Sequence, residues 1–129
     1  MIAVDTNILL RYLLNDDPVQ SELARLFFED ARRREEPAWI SHIVLVEMAW
    51  VLRQGHGVSS AAIVNTVRDF LDSDSIVMDR PDVVAAALVI DVPDFADALI
   101  HAVAVAEGCF STMTFDRRFA RHPGVELLA

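Results

Sequence analysis

Two aspartates in this chain come shortly after apolar segments that have the composition of buried β-strands. Asp5 follows the aliphatic residues 2–4, and Asp116 follows the segment 109–114. Parallel strands place their carboxyl ends at one edge of a sheet, and ligands of open α/β sheets bind at that edge. We therefore expect the carboxylates of Asp5 and Asp116 to share one edge, where burying them unpaired would be costly.

Three further acids occur in predicted helices. Asp94 and Asp97 lie three residues apart at the start of DFADALIHAVAVAE, so they share a helix face. A helix N-terminus by itself stabilises acidic side chains, and this alternative stays open, above all for Asp94. Glu47 lies in the nearly apolar helix SHIVLVEMAWVL, which predicts that it is buried and needs a partner. Arg53 is too far along the helix to neutralise Glu47 locally, although a more distant arginine stays open.

Convergence of these acids would predict one kind of chemistry. Crowded carboxylates repel one another, which raises their pKa values and destabilises the fold. A divalent cation removes the repulsion, and carboxylate oxygens suit Mg²⁺ or Mn²⁺ better than zinc or copper. Such a cluster holds one or two ions, and a pair about 4 Å apart can activate water and stabilise the leaving oxygen of a phosphodiester.

Short apolar segments alternate with helical ones along the whole chain. The predicted strands cover residues 2–5, 38–40, 75–78, 109–114 and 125–127. The predicted helices cover residues 6–14, 18–34, 42–54, 60–71, 81–90 and 94–107. This alternation favours an α/β fold in which buried parallel strands are covered by helices on both faces.

Composition excludes several classes of function. The 129 residues predict one domain, and a hydrophobic fraction of 53% is typical of a globular protein. All 11 cationic residues are arginine, and the lack of lysine argues against Schiff-base enzymes, P-loop enzymes and aspartyl-phosphate enzymes or receiver domains. Cys109 is the only cysteine, which excludes an internal disulfide and a cysteine-based zinc site.

Location and charge give two further expectations. No apolar run approaches the roughly 18 residues of a membrane helix, and the N-terminus lacks the basic flank of a signal peptide, so we expect a cytoplasmic protein without membrane contact. The net charge of −9 argues against loose electrostatic binding to nucleic acid. Basic residues nevertheless form two clusters, at residues 32–34 and at Arg117, Arg118 and Arg121.

Four segments, in order, carry a family resemblance. AVDTNILL, VLVEMAWVL, DFADALIHAVAVAEGC and TMTFDRRF together resemble the PIN-domain pattern, and the length is similar to that of single-domain VapC-type toxins of bacterial toxin–antitoxin modules. The resemblance implies a three-layer α/β/α sandwich with a central parallel sheet, formed by residues 1–129 as a single PIN-like nuclease domain. It also implies a Mg²⁺- or Mn²⁺-dependent endoribonuclease, a homodimer, and inhibition by a cognate VapB-like antitoxin.

The same resemblance assigns roles to individual residues. The implied catalytic and metal-binding acids are Asp5, Glu47, Asp97 and Asp116, with Asp94 as an additional ligand. The implied hydrogen-bonding partners of these carboxylates or of bound water are Thr6, Asn7 and Thr114. His101 lies one turn after Asp97 and either orients that acid, contacts substrate, or packs under the pocket, the last being favoured.

Substrate recognition is the least constrained part of the prediction. Arg117 and Arg118 directly follow Asp116 and are candidates for contact with a substrate phosphate, although solvated surface charge is an equal alternative. Because an acidic protein binds RNA weakly without shaped recognition, we expect a folded RNA such as a transfer RNA, read at single-stranded loops. Two alternatives stay open: a PIN-like nuclease that acts on DNA, and a non-catalytic metal-binding interaction module.

Overall fold

The structure is a computed structural model that describes residues 1–129. Its strands are β1 (Ile2–Ala3), β2 (Ala38–Ile40), β3 (Ile76–Met78), β4 (Thr112–Thr114) and β5 (Val125–Leu127). Its α-helices are α1 (Thr6–Leu14), α2 (Pro18–Arg33), α3 (His42–His56), α4 (Ser60–Asp72), α5 (Pro81–Leu88) and α6 (Phe95–Ala106), and a 3₁₀ turn covers Phe119–Arg121. The predicted elements are all present, whereas the 3₁₀ turn was not predicted.

The helix starts follow from local capping chemistry. Five helices begin directly after a residue whose side chain accepts a hydrogen bond from a free backbone N–H of the first turn; these residues are Asp5, Asp17, Ser41, Ser59 and Asp94. Such caps each contribute about 1 kcal/mol to helix stability. Two of the five caps, Asp5 and Asp94, are also predicted site residues, so capping places these acids at helix N-termini.

The strands pair in parallel, which confirms the α/β class. Hydrogen bonds join β1, β2 and β3 in that order, and separately join β4 to β5. The strands therefore form a three-stranded and a two-stranded group, where one continuous sheet was expected. Asp5 and Asp79 follow β1 and β3 at the same edge of the first group, because all three of its strands run in one direction.

The prediction of a fully buried first strand is wrong. Ile2 and Ala3 are both exposed, and only Val4 of this segment is buried. The reason is that β1 pairs with β2 alone and the three-stranded group ends there, so its outer side is not covered by another hydrogen-bonded strand. β4 is likewise shorter than predicted and begins at Thr112.

A single apolar core fixes the helices that carry the candidate acids. Leu45 and Met48 of α3 and Leu99 of α6 belong to one buried cluster, and each is at most 1% exposed. Helix α3 contacts both α1 and α6, and α6 also packs along α5. Burial of each such side chain contributes about 1.5–3 kcal/mol, so α3 and α6 are held in place by the core. None of the helices combines the length and apolar character that a membrane crossing requires.

Candidate active site

Three of the predicted acids lie together where α6 begins and β4 ends. Asp94 precedes α6, and its Oδ1 accepts a hydrogen bond of 2.8 Å from the backbone N–H of Ala96. Asp97 lies one turn further along and is half-buried. Burial raises the pKa of the Asp97 carboxyl, and the carboxylates of Asp94 and Asp116 raise it further. The fold therefore brings Asp94, Asp97 and Asp116 into one negatively charged environment.

The loop after β4 holds Asp116 by hydrogen bonds to the backbone. Its Oδ1 accepts from the N–H of Arg118 at 2.8 Å and from the N–H of Phe119 at 3.1 Å, which ties Asp116 to the residues that begin the 3₁₀ turn. The N–H of Asp116 in turn donates to the hydroxyl of Thr114 at 3.0 Å. Thr114 thus positions Asp116 through the main chain, whereas the family resemblance implied a hydrogen bond to a carboxylate or to bound water.

Asp5 lies at the end of β1 and is exposed. Its Oδ1 accepts a 2.7 Å hydrogen bond from the N–H of Thr6, which is 4% exposed and packs into the core side of α1. Asn7 is exposed and lines a separate cavity of about 330 Å³ between α1 and α2. Asp5 makes no hydrogen bond to the other candidate acids, and it follows a strand of the three-stranded group, whereas Asp116 follows β4 of the two-stranded group.

The prediction that Glu47 is buried is wrong. Glu47 is exposed, and no arginine or histidine nitrogen lies within 4 Å of its carboxylate. It lines an apolar groove of about 600 Å³ between α3 and α6, beside Trp50 and Ile100. The face of α3 that carries Glu47 is open to solvent, because the core covers only the opposite face of this helix. The open alternative that a distant arginine neutralises Glu47 is therefore wrong.

His101 links the helix that carries Asp97 to the strand that leads to Asp116. It is 5% exposed, and its Nδ1 lies 2.8 Å from the hydroxyl oxygen of Thr112 in β4. Its ring packs edge-on against His122 at 5.3 Å between centroids. Burial, together with His122, lowers the pKa of the imidazole, so His101 is neutral near pH 7. His101 makes no hydrogen bond to Asp97, and the structure supports the interpretation of a packed histidine.

Residues 2–125 match the PIN domain family. This chain belongs to the PIN domain family. PIN domains are typically nucleases and generally bind divalent metal ions, so membership indicates metal-dependent cleavage of nucleic acid. No curated protein sequence matches the chain closely enough to add to this assignment.

The candidate ligands of this PIN domain are carboxylate oxygens, which suit Mg²⁺ or Mn²⁺, although their side chains do not surround a common point in the structure. No three His, Cys, Asp or Glu side chains lie close enough together in the structure to hold a metal ion. Asp5, Asp94 and Asp116 each bond backbone N–H groups through Oδ1, which leaves Oδ2 free. None of these acids, nor Asp97, forms an ion pair. Unpaired carboxylate oxygens are the donors that Mg²⁺ and Mn²⁺ prefer.

Two features of this PIN domain were missed at the sequence level. His42, at the start of α3, lies with its Nδ1 3.8 Å from Oδ2 of Asp79, which follows β3. Arg121 and His122 join Arg118 in lining a polar cleft, whereas Arg117 does not. The sequence contained one indication of this cleft. Arg118 and Arg121 are three residues apart, so in a 3₁₀ turn their side chains lie on the same face.

Proposed function

We propose that this PIN domain is a Mg²⁺- or Mn²⁺-dependent endoribonuclease, the toxin of a VapBC-type toxin–antitoxin pair. The observation that carries the proposal is the half-buried Asp97, whose pKa is raised by burial and further by two neighbouring carboxylates, while no arginine forms an ion pair with any of the three. A stable fold does not need this repulsion. A bound divalent cation would attract all three carboxylates and offset their mutual repulsion, which gives such a cluster a purpose in binding metal.

The chain's own residues would have three roles in the reaction: binding the ion, positioning the acids and stabilising charge at the phosphate. Asp94, Asp97 and Asp116 would hold the ion through their free oxygens, and Asp5 and Glu47 would complete its surroundings by the family resemblance. The bound ion would lower the pKa of a water and neutralise charge on the phosphodiester. The backbone bonds of Asp116 and the His101–Thr112 contact hold the acids in place before substrate arrives. Since the chain has no lysine, arginine must supply any further positive charge at the phosphate.

Cleavage of RNA tests the proposal directly. We expect the wild-type protein with Mn²⁺ to cut a structured transfer RNA faster than an unstructured RNA oligomer, and EDTA to abolish cutting. Asp5→Asn, prepared identically, should lose the activity, because one ligand oxygen is replaced by an amide. Equal cutting by both proteins would indicate a contaminant, and preferred cutting of single-stranded DNA would replace RNA as the substrate. Expression of the wild-type protein in the cytoplasm should arrest cell growth, whereas expression of Asp5→Asn should not. Co-expression of a cognate antitoxin should restore growth.

The homodimer belongs to the same proposal and is supported by the groove between α3 and α6. Ile43 and Trp50 are 80% and 60% exposed, and Ile100 on the facing helix is 48% exposed. Exposed apolar side chains of this size on two adjacent helices are typical of an interaction surface. A two-fold axis brings the same patch of two copies together, so one groove is enough to build the interface.

Trp50→Glu should convert the dimer to a monomer, because a carboxylate would be buried in an apolar interface. Size-exclusion chromatography with light scattering measures the mass, and circular dichroism checks the fold. Val89→Glu is the matched control, since Val89 is 82% exposed and lies outside the groove. A wild type that is monomeric at high concentration, or a Trp50→Glu variant that stays dimeric, would contradict this part of the proposal.

A further inference from the structure

A polar cleft of about 460 Å³ lies beside the acidic cluster and contains Arg118, one of the two arginines predicted to contact a substrate phosphate. One wall is the segment 91–93, which precedes α6, and the other contains Arg118, Arg121 and His122. Both arginines are exposed and His122 is half-buried. Two guanidinium groups and an imidazole in one concave site form a surface suited to an anion.

The arginines of the cleft differ from most others in this chain. Five arginines are ion-paired with acids; these are Arg11, Arg25, Arg33, Arg34 and Arg80. Arg118 and Arg121 form no ion pair and no side-chain hydrogen bond, although Asp91 lines the same cleft. In a protein of net charge −9, these guanidinium groups have their donors free for an external acceptor.

Both walls of the cleft continue directly into the acidic cluster. Pro93, in one wall, is followed by Asp94, the capping residue of α6. On the other wall, the backbone N–H of Arg118 donates to the carboxylate of Asp116 at 2.8 Å. An anion bound by Arg118 and Arg121 therefore lies next to the carboxylates without displacing them. A polymer with regularly spaced phosphates can occupy both places at once, whereas a single small anion cannot.

We propose that this cleft binds the backbone phosphate of the RNA nucleotide next to the scissile phosphodiester. The proposal rests on the ribonuclease function and adds a subsite to it. Arg118 and Arg121 donate to the phosphate oxygens, and His122 lines the same site. The subsite counteracts the repulsion between an acidic protein and RNA at the point where substrate must dock. Asp91 opposes phosphate binding, so its removal has the opposite effect to removal of the arginines.

The test measures binding separately from cleavage. In an Asp5→Asn background with Mn²⁺ present, fluorescence anisotropy of a labelled single-stranded RNA should show about tenfold weaker binding after Arg118→Gln with Arg121→Gln. The slope of log affinity against log salt concentration should become shallower by about one to two, because each lost arginine removes at most one phosphate contact. Arg68→Gln is the matched control, because Arg68 is exposed on α4 and does not line the cleft. Asp91→Asn should tighten binding, and circular dichroism checks each fold.

The outcomes separate this proposal from the function on which it rests. In the active protein, the double arginine variant should raise KM several-fold with a smaller change in kcat. If the wild type does not cut RNA but its RNA binding still depends on Arg118 and Arg121, the ribonuclease proposal is contradicted and the phosphate-binding cleft is supported. Cleavage by the wild type, with the double variant binding and cutting like Arg68→Gln, would overturn the cleft alone.

Discussion

Asp97→Asn should reduce RNA cleavage by about 10²–10³-fold and should also stabilise the metal-free protein. The loss of activity follows because a ligand oxygen at a charge-stabilising centre contributes several kcal/mol to the transition state. The gain in stability follows because ionised Asp97 is half-buried and repelled by Asp94 and Asp116, which raise its pKa. A neutral amide of nearly the same shape removes the repulsion. A residue retained only for stability would not show these opposite effects.

The pH dependence of this gain has a definite sign. The pKa of the Asp97 carboxyl is higher in the folded protein than its ordinary value of 3.8. Between the two values the folded state binds more protons than the unfolded chain, so stability decreases as pH rises. The penalty is complete above the folded pKa and is relieved as pH falls toward 3.8. The advantage of Asp97→Asn should therefore be full at neutral pH and vanish in acid.

Thermal unfolding measures the effect. We expect the melting temperature of Asp97→Asn in EDTA to exceed that of wild type by a few degrees, since about 1 kcal/mol corresponds to roughly 3–5 °C at this chain length. Mn²⁺ should raise the melting temperature of wild type more than that of the variant. Asp74→Asn, in an exposed loop, is the control and should change neither value. A lower melting temperature for Asp97→Asn in EDTA at pH 7 would show that the carboxylate is a stabilising group.

Gly124→Ala should destabilise the protein by roughly 2–4 kcal/mol, the sum of a backbone and a packing cost. Gly124 has a φ of +90°, a conformation that L residues rarely adopt. A Cβ at this position would also lie 3.2 Å from Cε1 and Nε2 of His101, which is buried and cannot move freely. Displacement of His101 would weaken its contact with Thr112 and disturb the link between α6 and β4.

Gly108→Ala isolates the packing part of this cost. Gly108 has a φ of +86°, yet a Cβ there would meet no atom within 4 Å. Both variants therefore carry a similar backbone strain, and only Gly124→Ala crowds His101. Urea unfolding should show the larger loss for Gly124→Ala, and the imidazole NMR signals of His101 should shift in that variant alone. Equal losses and an unchanged His101 signal would mean that the imidazole does not hold the two elements together.

Local chemistry made much of this fold predictable. Capping side chains such as Asp17 and Ser59 act within one helical turn, so the positions of helix starts could be inferred from neighbouring residues. The pairing of Asp94 and Asp97 on one face likewise depends only on helical geometry. Asp116 could be placed near them because it follows an apolar segment that was expected to join the parallel strands. In the structure, the carboxylates of Asp94 and Asp116 do affect the pKa of Asp97, while the role of these acids as a site stays a prediction.

Glu47 shows where such inference ends. A helix that is apolar on most sides predicts burial only if other elements cover every side, and that depends on the arrangement of the whole chain. Here the core covers Leu45 and Met48, while the face that carries Glu47 and Trp50 is left open. The sequence pattern therefore predicted the wrong environment for Glu47.

The residue types that can do chemistry, and the elements that carry them, were determined by the sequence alone, because capping, periodicity and chirality operate over a few residues. Which groups meet was decided by the tertiary structure. The pKa of Asp97 depends on Asp116, which is 19 residues away (116 − 97) and approaches only when β4 packs beside α6. The cleft of Arg118 and Arg121 likewise exists only against the segment that precedes α6. Interactions through space between distant segments have no signature in the spacing of residues along one chain.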